Sequence, residues 1–256
     1  GREDNLQRRW GLAPSLALGL GTPTRLTFTF LHEEAYDRPD YGLPWYFGRP
    51  APVNPSNFYG YDSDFLDTQV NVLTAKAEHD LDGDVTVRNT LRLGQYQRQF
   101  RISEVVLAPG TLATTPLNSV QAARNMWQGN SVESVADDQL ELSAKWNTFG
   151  FEHQIVAGAE FAWEYSRPLF ENTTGVPTVN LVNPPQHQTF PGTPFARLIS
   201  ETSARSLGLY GVDTITLNPQ WEVYGSYMWL PVARVDKAAP CPATGACAQS
   251  AIGERP

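Results

Sequence analysis

Between residues 138 and 165 the chain alternates apolar and polar side chains twice, with a short connection between the two runs. Leu140, Leu142, Ala144 and Trp146 interleave with Glu141, Ser143 and Lys145. Then Phe151, Ile155, Ala157, Ala159, Phe161, Trp163 and Tyr165 share one parity, against Glu152, Gln154, Gly158, Glu160 and Glu164. Successive side chains of a strand point to opposite faces, so each run has one apolar and one polar face. With the link Asn147-Thr148-Phe149-Gly150 they make a long amphipathic hairpin, which suits a β-barrel wall separating lipid from water.

The same period places eight strands, over residues 10–19, 24–33, 68–81, 84–102, the pair within 138–165, 203–217 and 221–230. Gly21-Thr22-Pro23, Asp82-Gly83 and Asn218-Pro219 make short links, as does the link at Asn147. Asp-Gly is a hairpin signal, because Gly accepts the positive φ of a tight turn. The other links run from about 34 to 67, 103 to 137 and 166 to 202. Short and long links alternate, as periplasmic turns and extracellular loops do in an outer-membrane barrel. A compact soluble domain rarely carries three structureless loops of roughly 30 residues. The fold class is therefore all-β, an antiparallel transmembrane β-barrel fragment of about eight meandering strands with short periplasmic turns and long extracellular loops.

A soluble barrel alternates as well, with its apolar face inward. Three features favour lipid outside: strand lengths of about ten residues or more, the charge on the polar face, and aromatics near strand ends. These aromatics are Trp146, Phe151, Trp163, Tyr165, Trp221 and Trp229, placed as interfacial girdles are.

The 256 residues are 41% hydrophobic and 11% aromatic, with net charge -8 and mean hydropathy -0.35. No apolar run approaches the ~20 residues of a transmembrane helix. The acidic balance argues against nucleic acid, which needs clustered Lys and Arg. The opening Gly1-Arg2-Glu3-Asp4 has no apolar leader, and Gly253-Glu254-Arg255-Pro256 reads as a loop, so the expectation is an internal piece of a longer protein. Cys241 and Cys247 read as a small loop disulfide in an oxidising compartment, with two free thiols as the other reading. No further Cys or clustered His completes a metal site; His32, His79, His153 and His187 are scattered. Gly-x-Ser-x-Gly is absent, and Gly19-Leu20-Gly21-Thr22-Pro23 lacks the Lys-Ser/Thr ending of a phosphate loop. The expectation is no enzyme, no resident metal and no cofactor.

Several segments resemble the barrel of TonB-dependent siderophore receptors: residues 9–25, Leu31-His32, Pro39-Asp40-Tyr41-Gly42-Leu43-Pro44-Trp45, Glu78-His79-Asp80-Leu81 with residues 87–92, and Leu207-Gly208-Leu209-Tyr210 with Asp213-Thr214. The likeness covers most of the chain. It leans to the ferric catecholate branch, with ferrichrome-type receptors sharing much of it. It implies a cell outer membrane location and a 22-stranded barrel closed by an N-terminal plug. It also implies a ferric siderophore as ligand and energy supplied through TonB. On this reading residues 1–256 are a partial receptor barrel without the plug and its TonB contact. Leu217-Asn218-Pro219-Gln220-Trp221 resembles an early turn, whereas Trp229-Leu230-Pro231-Val232-Ala233 resembles a late strand, as if intervening strands were deleted. The alternatives are a small self-contained outer-membrane barrel with a structural or adhesive role, and a soluble secreted β-protein or hydrolase.

The first long loop is packed with aromatics: Tyr36, Tyr41, Trp45, Tyr46, Phe47, Phe58, Tyr59 and Tyr61. Of these Tyr41, Trp45, Tyr46, Phe47 and Tyr59 are the candidate ligand-binding rings, able to stack on flat catecholate rings while Arg38 and Arg49 attract the charge. The other reading is that the rings fold the loop on itself or anchor the rim. Arg98 and Arg101, with Arg92, are candidate lumen cations that draw an anionic complex inward; pairing with neighbouring Glu is the alternative.

Overall fold

In the computed structural model the structure describes residues 5–229 and 235–237. The strands are β1 (Leu6–Leu12), β2 (Ser15–Leu18), β3 (Thr24–Arg38), β4 (Trp45–Tyr46), β5 (Arg49–Pro50), β6 (Phe65–Asp80) and β7 (Val85–Leu107). After a single 3-10 turn, Leu117–Ser119, come β8 (Gln121–Thr148), β9 (Phe151–Thr174), β10 (Val179–Asn180), β11 (Thr193–Ile199), β12 (Thr202–Asn218), β13 (Trp221–Trp229) and β14 (Val235–Lys237). Neighbours in sequence pair antiparallel in the order β1-β3-β6-β7-β8-β9-β12-β13, with β2, β10, β11 and β14 as short additions and β4–β5 a separate hairpin. Among the described residues β1 and β13 do not pair with each other, so the sheet is open. Cys241 and Cys247 lie outside the described residues.

The short links are tight where expected. Thr148 pairs with Phe151, leaving Phe149-Gly150 as a two-residue turn with φ of 52° and 87°. That is the type I′ geometry whose twist matches the flanking strands, and Gly supplies the second positive φ without a Cβ clash. The first expected strand is divided: β1 and β2 both pair with β3 in one continuous register. The interruption is Ala13-Pro14, where Pro14 has no N–H to donate.

The long links differ from expectation. β3 continues to Arg38, β7 to Leu107 and β9 to Thr174, while β8 begins at Gln121. The loops shrink to residues 39–64, 108–120 and 175–201. The strands outrun the alternation because the hydrogen-bonded ladder continues where the two faces no longer divide into apolar and polar.

Register assigns every strand residue to one of two faces. One carries rows such as Leu26–Ala77–Asn89–Leu140–Ala159–Leu209 and Phe28–Ala75–Leu91–Asp138–Phe161–Leu207. The row His32–Asn71–Gln95–Ser134–Tyr165–Ser203 ends this apolar band. Leu140 is 51% exposed and Phe161 49%; a soluble sandwich would bury them, whereas a membrane wall presents them to acyl chains. Exceptions in the band include Arg205, opposite Trp163, and Asn89 with Asp138, which hydrogen-bond each other at 2.6 Å. The opposite face carries an ionic ladder, Lys76–Glu78–Arg88–Glu141, with contacts of 2.9, 3.0 and 2.9 Å. Tyr210 donates to Glu141 at 3.1 Å and accepts from Gln139 at 2.7 Å.

The buried core is small and lies beyond the band, among Ala51, Tyr59, Val105, Val120, Ala122, Val179 and Leu181. Loops 39–64 and 175–201 pack there against the upper ends of β7 and β8. Val105 and Ala122 share the parity of Leu91 and Leu140, so this loop cap sits on the continuation of the apolar face.

Candidate functional site

The loop cap is held by hydrogen bonds from side chains to backbone. Tyr59 Oη donates to the Leu181 carbonyl at 2.6 Å, and Asn57 Nδ2 to the Val182 carbonyl at 2.9 Å. Backbone bonds Leu181 N–H to Val120 O (2.9 Å) and Asp62 N–H to Gln188 O (3.1 Å) join loop 175–201 to the end of loop 108–120 and to loop 39–64. At the centre lies Arg124, only 6% exposed. Its guanidinium donates to Tyr59 O (3.3 Å), Gln188 Oε1 (3.1 Å) and Pro177 O (2.9 Å), and stacks 4.2 Å from the Tyr61 ring. Burial pulls its pKa below the ordinary guanidinium value, opposed by Tyr61 and Asp64. Asp64 is buried beside it and accepts the N–H groups of Tyr61 (3.1 Å) and Ser103 (3.2 Å). Burial raises its carboxyl pKa, against these hydrogen bonds and the charge of Arg101.

The predicted ligand rings divide into two groups. Trp45 and Phe47 are 66% and 50% exposed, and Tyr41 is exposed with them. Trp45 lies in the first strand of the β4–β5 hairpin and Phe47 in its Phe47-Gly48 turn, with φ of 42° and 93°, while Tyr41 lies in the loop before it. Tyr46 is half-buried against the loop core and meets the Phe47 ring edge-on at 4.9 Å. Tyr59 is buried, as are Phe58 and Tyr61.

The predicted arginines also separate. Arg98 lies on the charged face, exposed, with its guanidinium 5.0 Å from the Phe100 ring. Arg92 shares that face and is exposed. Arg101 has the other parity and is engaged in the cap: it donates to Gln128 (3.1 Å) and Ser63 (3.4 Å) and stacks 4.5 Å from Phe190. Arg98 and Arg101 thus stand on opposite faces of one strand, three residues apart.

Other residues of this region lay in the segment expected to be a loop. Above Gln128↔Glu171 the ladder between β8 and β9 parts, and β8 is rejoined only where Ala122 meets Val179 of β10. The opening is a cavity of about 810 Å³, lined among others by Met126, Trp127, Phe170 and Asn172. Trp127 is 51% exposed on the charged face, and its indole N–H donates to Glu104 at 3.0 Å. Asn125 donates to the same carboxylate at 3.2 Å. Trp127 and Arg124 fall where alternation gives no sign of a strand; only the crowding of Arg, Asn, Met and Trp in one short stretch marks it. Among the described residues no group of three or more His, Cys, Asp or Glu is placed to hold a metal ion.

Residues 9–229 match the family described as TonB dependent receptor-like, β-barrel. The chain is 26% identical over 242 residues to the catecholate siderophore receptor Fiu of Escherichia coli K12, covering 88% of this chain and 32% of Fiu. It is also 26% identical over 244 residues to the probable TonB-dependent siderophore receptor PiuA of Acinetobacter baumannii, covering 84% of this chain and 32% of PiuA. The crystal structure of E. coli Fiu in its closed form superposes with a TM-score of 0.82 at 26% identity, over 96% of this chain and 37% of that one. The chain spans about a third of the length of the curated relatives it matches.

Proposed function

Because the chain belongs to the TonB-dependent receptor β-barrel family, we propose that it is the part of an outer-membrane receptor wall that captures a ferric siderophore, of catecholate type, for uptake energised through TonB. The apolar rows then face the acyl chains and the ionic ladder faces the lumen. The mechanism is capture and passage, with no bond made or broken.

The observation that carries this reading is the exposure of the Tyr41, Trp45 and Phe47 rings in loop 39–64, together with exposed Arg98 and Arg92 on the charged face. A ferric catecholate complex presents flat, electron-rich rings and net negative charge. Rings that stand free can stack on it, and inward-facing cations focus its approach. Trp127, exposed on the same face over the 810 Å³ cavity, offers a further stacking surface. The siderophore saturates its iron, so no protein ligand to the metal is required. The relatives named as catecholate siderophore receptors give the same direction.

The test is binding of a ferric catecholate to the folded receptor that contains this chain, followed by tryptophan fluorescence and by competition. Trp45→Ala is expected to weaken binding by roughly 2- to 10-fold, the worth of one aromatic contact, and Tyr46→Ala by less because Tyr46 is half-buried. Arg98→Gln lowers the rate of capture most at low ionic strength. Absence of ferric catecholate binding by the wild-type receptor would overturn the proposal.

A further inference from the structure

On the charged face of β7, near the loop cap, one carboxylate is held by neutral donors alone. Glu104 accepts the Trp127 indole N–H at 3.0 Å and the Asn125 side-chain amide at 3.2 Å, and both bonds go to the same oxygen, Oε2. Among the described residues its Oε1 has no partner, and no Lys, Arg or His pairs with it. The indole it holds is 51% exposed and lines the cavity of about 810 Å³ where β8 and β9 part. Phe170 lines the same cavity. Its partner across the ladder is Gly129, so no side chain of β8 stands directly opposite that ring. Two charged residues belong to the lining, Glu171 and Arg124. Glu171 accepts from Gln128 at 2.7 Å. Arg124 lies on the outward face, is 6% exposed, and commits its terminal nitrogens to Tyr59 O, Gln188 Oε1 and Pro177 O. The next charge on the Glu104 face of β7 is Arg98, six residues or roughly 20 Å along the strand.

We propose that this recess receives a cationic arm, a primary ammonium, carried by the ferric catecholate complex. The inference rests on the siderophore reading above and deepens it. Arg98 meets the anionic iron centre, and Glu104 with Trp127 meets the positive end of the same molecule. The ring is the first argument. A cation over an aromatic face is attracted by the ring quadrupole, and Trp is the strongest of the side chains that do this. A carboxylate that accepts the indole N–H polarises the ring further in the same sense. The carboxylate is the second argument. Oε1 of Glu104 is open to an ammonium N–H, and such a charge-assisted bond is stronger than a neutral one. Asn125 fixes the carboxylate without neutralising it. Charge is the third argument. Glu104 and Glu171 stand against Arg124 alone, and Arg124 is buried on the other face with its terminal nitrogens taken. A neutral arm gains neither interaction, and an anionic arm meets two carboxylates.

The experiment uses the folded receptor that contains this chain and measures retention of radiolabelled iron. The probes are the ferric complexes of three synthetic catecholamides that share a pentyl arm. The arm ends in a free amine, in its acetamide, or in its succinamide, which carries a carboxylate. Wild type is expected to bind the amine complex roughly 5- to 20-fold more tightly than the acetamide, and the succinamide least. Glu104→Gln keeps an acceptor for Trp127 and Asn125 but loses the charge, and should bring the ratio of amine to acetamide affinity close to one. Trp127→Leu should lower that ratio severalfold. Added salt should shrink it in wild type. Heat-modifiable gel mobility reports folding of each variant separately. Equal affinity of wild type for all three complexes overturns the proposal, as does a full preference for the amine in folded Glu104→Gln. Tightest binding of the succinamide overturns it too, and marks Arg124 as the recognising charge. Failure of all three complexes to bind overturns the siderophore reading itself, and this inference with it.

Discussion

Replacing Arg124 by Met should release the loop cap and leave the barrel wall intact. Arg124, on strand β8, ties loop 39–64 and loop 175–201 together through Tyr59 O, Gln188 Oε1 and Pro177 O. Methionine fills much of the same space but donates nothing. Three acceptors lose a charged donor, at about 1 kcal/mol each net of what water restores. The lost contact with the Tyr61 ring adds roughly 1 kcal/mol. The sum is about 3–4 kcal/mol of local stability, and at about 1.4 kcal/mol per factor of ten this accelerates opening by roughly a hundred- to a thousandfold. Amide hydrogen exchange of the receptor in detergent reads this directly. The N–H groups of Leu181, Asp62 and Asp64, each bonded across or within the loops, should exchange that much faster, while ladder amides of β6 to β9 within the apolar band keep their protection. Unchanged exchange at Leu181 and Asp62 would refute the keystone role. Equal loss of protection in the ladder would show that the cap and wall are one cooperative unit rather than two.

Three further outcomes are expected. Tyr59→Phe removes the 2.6 Å bond to the Leu181 carbonyl and should cost the cap about 1–2 kcal/mol, seen as faster proteolysis in loop 175–201 with unaltered heat-modifiable mobility. Asp64 has its carboxyl pKa raised by burial above 3.8 in the folded state, so folding favours its protonated form. Cap stability should therefore increase as pH falls from neutral through the raised value, levelling off near 3.8, and Asp64→Asn should flatten this dependence when exchange is corrected for intrinsic rates. Asp138→Leu alone leaves Asn89 short of its 2.6 Å partner in the apolar band, whereas Asp138→Leu with Asn89→Leu should stabilise the receptor in phosphatidylcholine bilayers by roughly 1–2 kcal/mol; a double variant less stable than wild type in urea titration would contradict the lipid-facing assignment of that row.

The amino-acid sequence alone determined the wall. Where a strand crosses between lipid and water its two faces must differ, and the resulting period of two is printed in residues 24–33, 68–81, 84–102 and 138–165. From it followed the strand order, the tight turns and the antiparallel meander, since each strand can only return beside the one before it. Tertiary structure decided everything beyond the band. There the two faces no longer divide into apolar and polar, so alternation no longer reports pairing, and β8 runs from Gln121 where the pattern begins only at residue 138. Composition drew Tyr41, Trp45, Tyr46, Phe47 and Tyr59 into one aromatic set. Packing alone set Trp45 free at a turn and buried Tyr59 under Leu181. Arg98 and Arg101 are alike in sequence, yet an odd separation along a strand puts them on opposite faces, one toward the lumen and one under the loops. Whether a side chain is available to a ligand depends on which distant segment covers it, and that contact, as between residues 57–64 and 177–188, leaves no periodic mark in the chain.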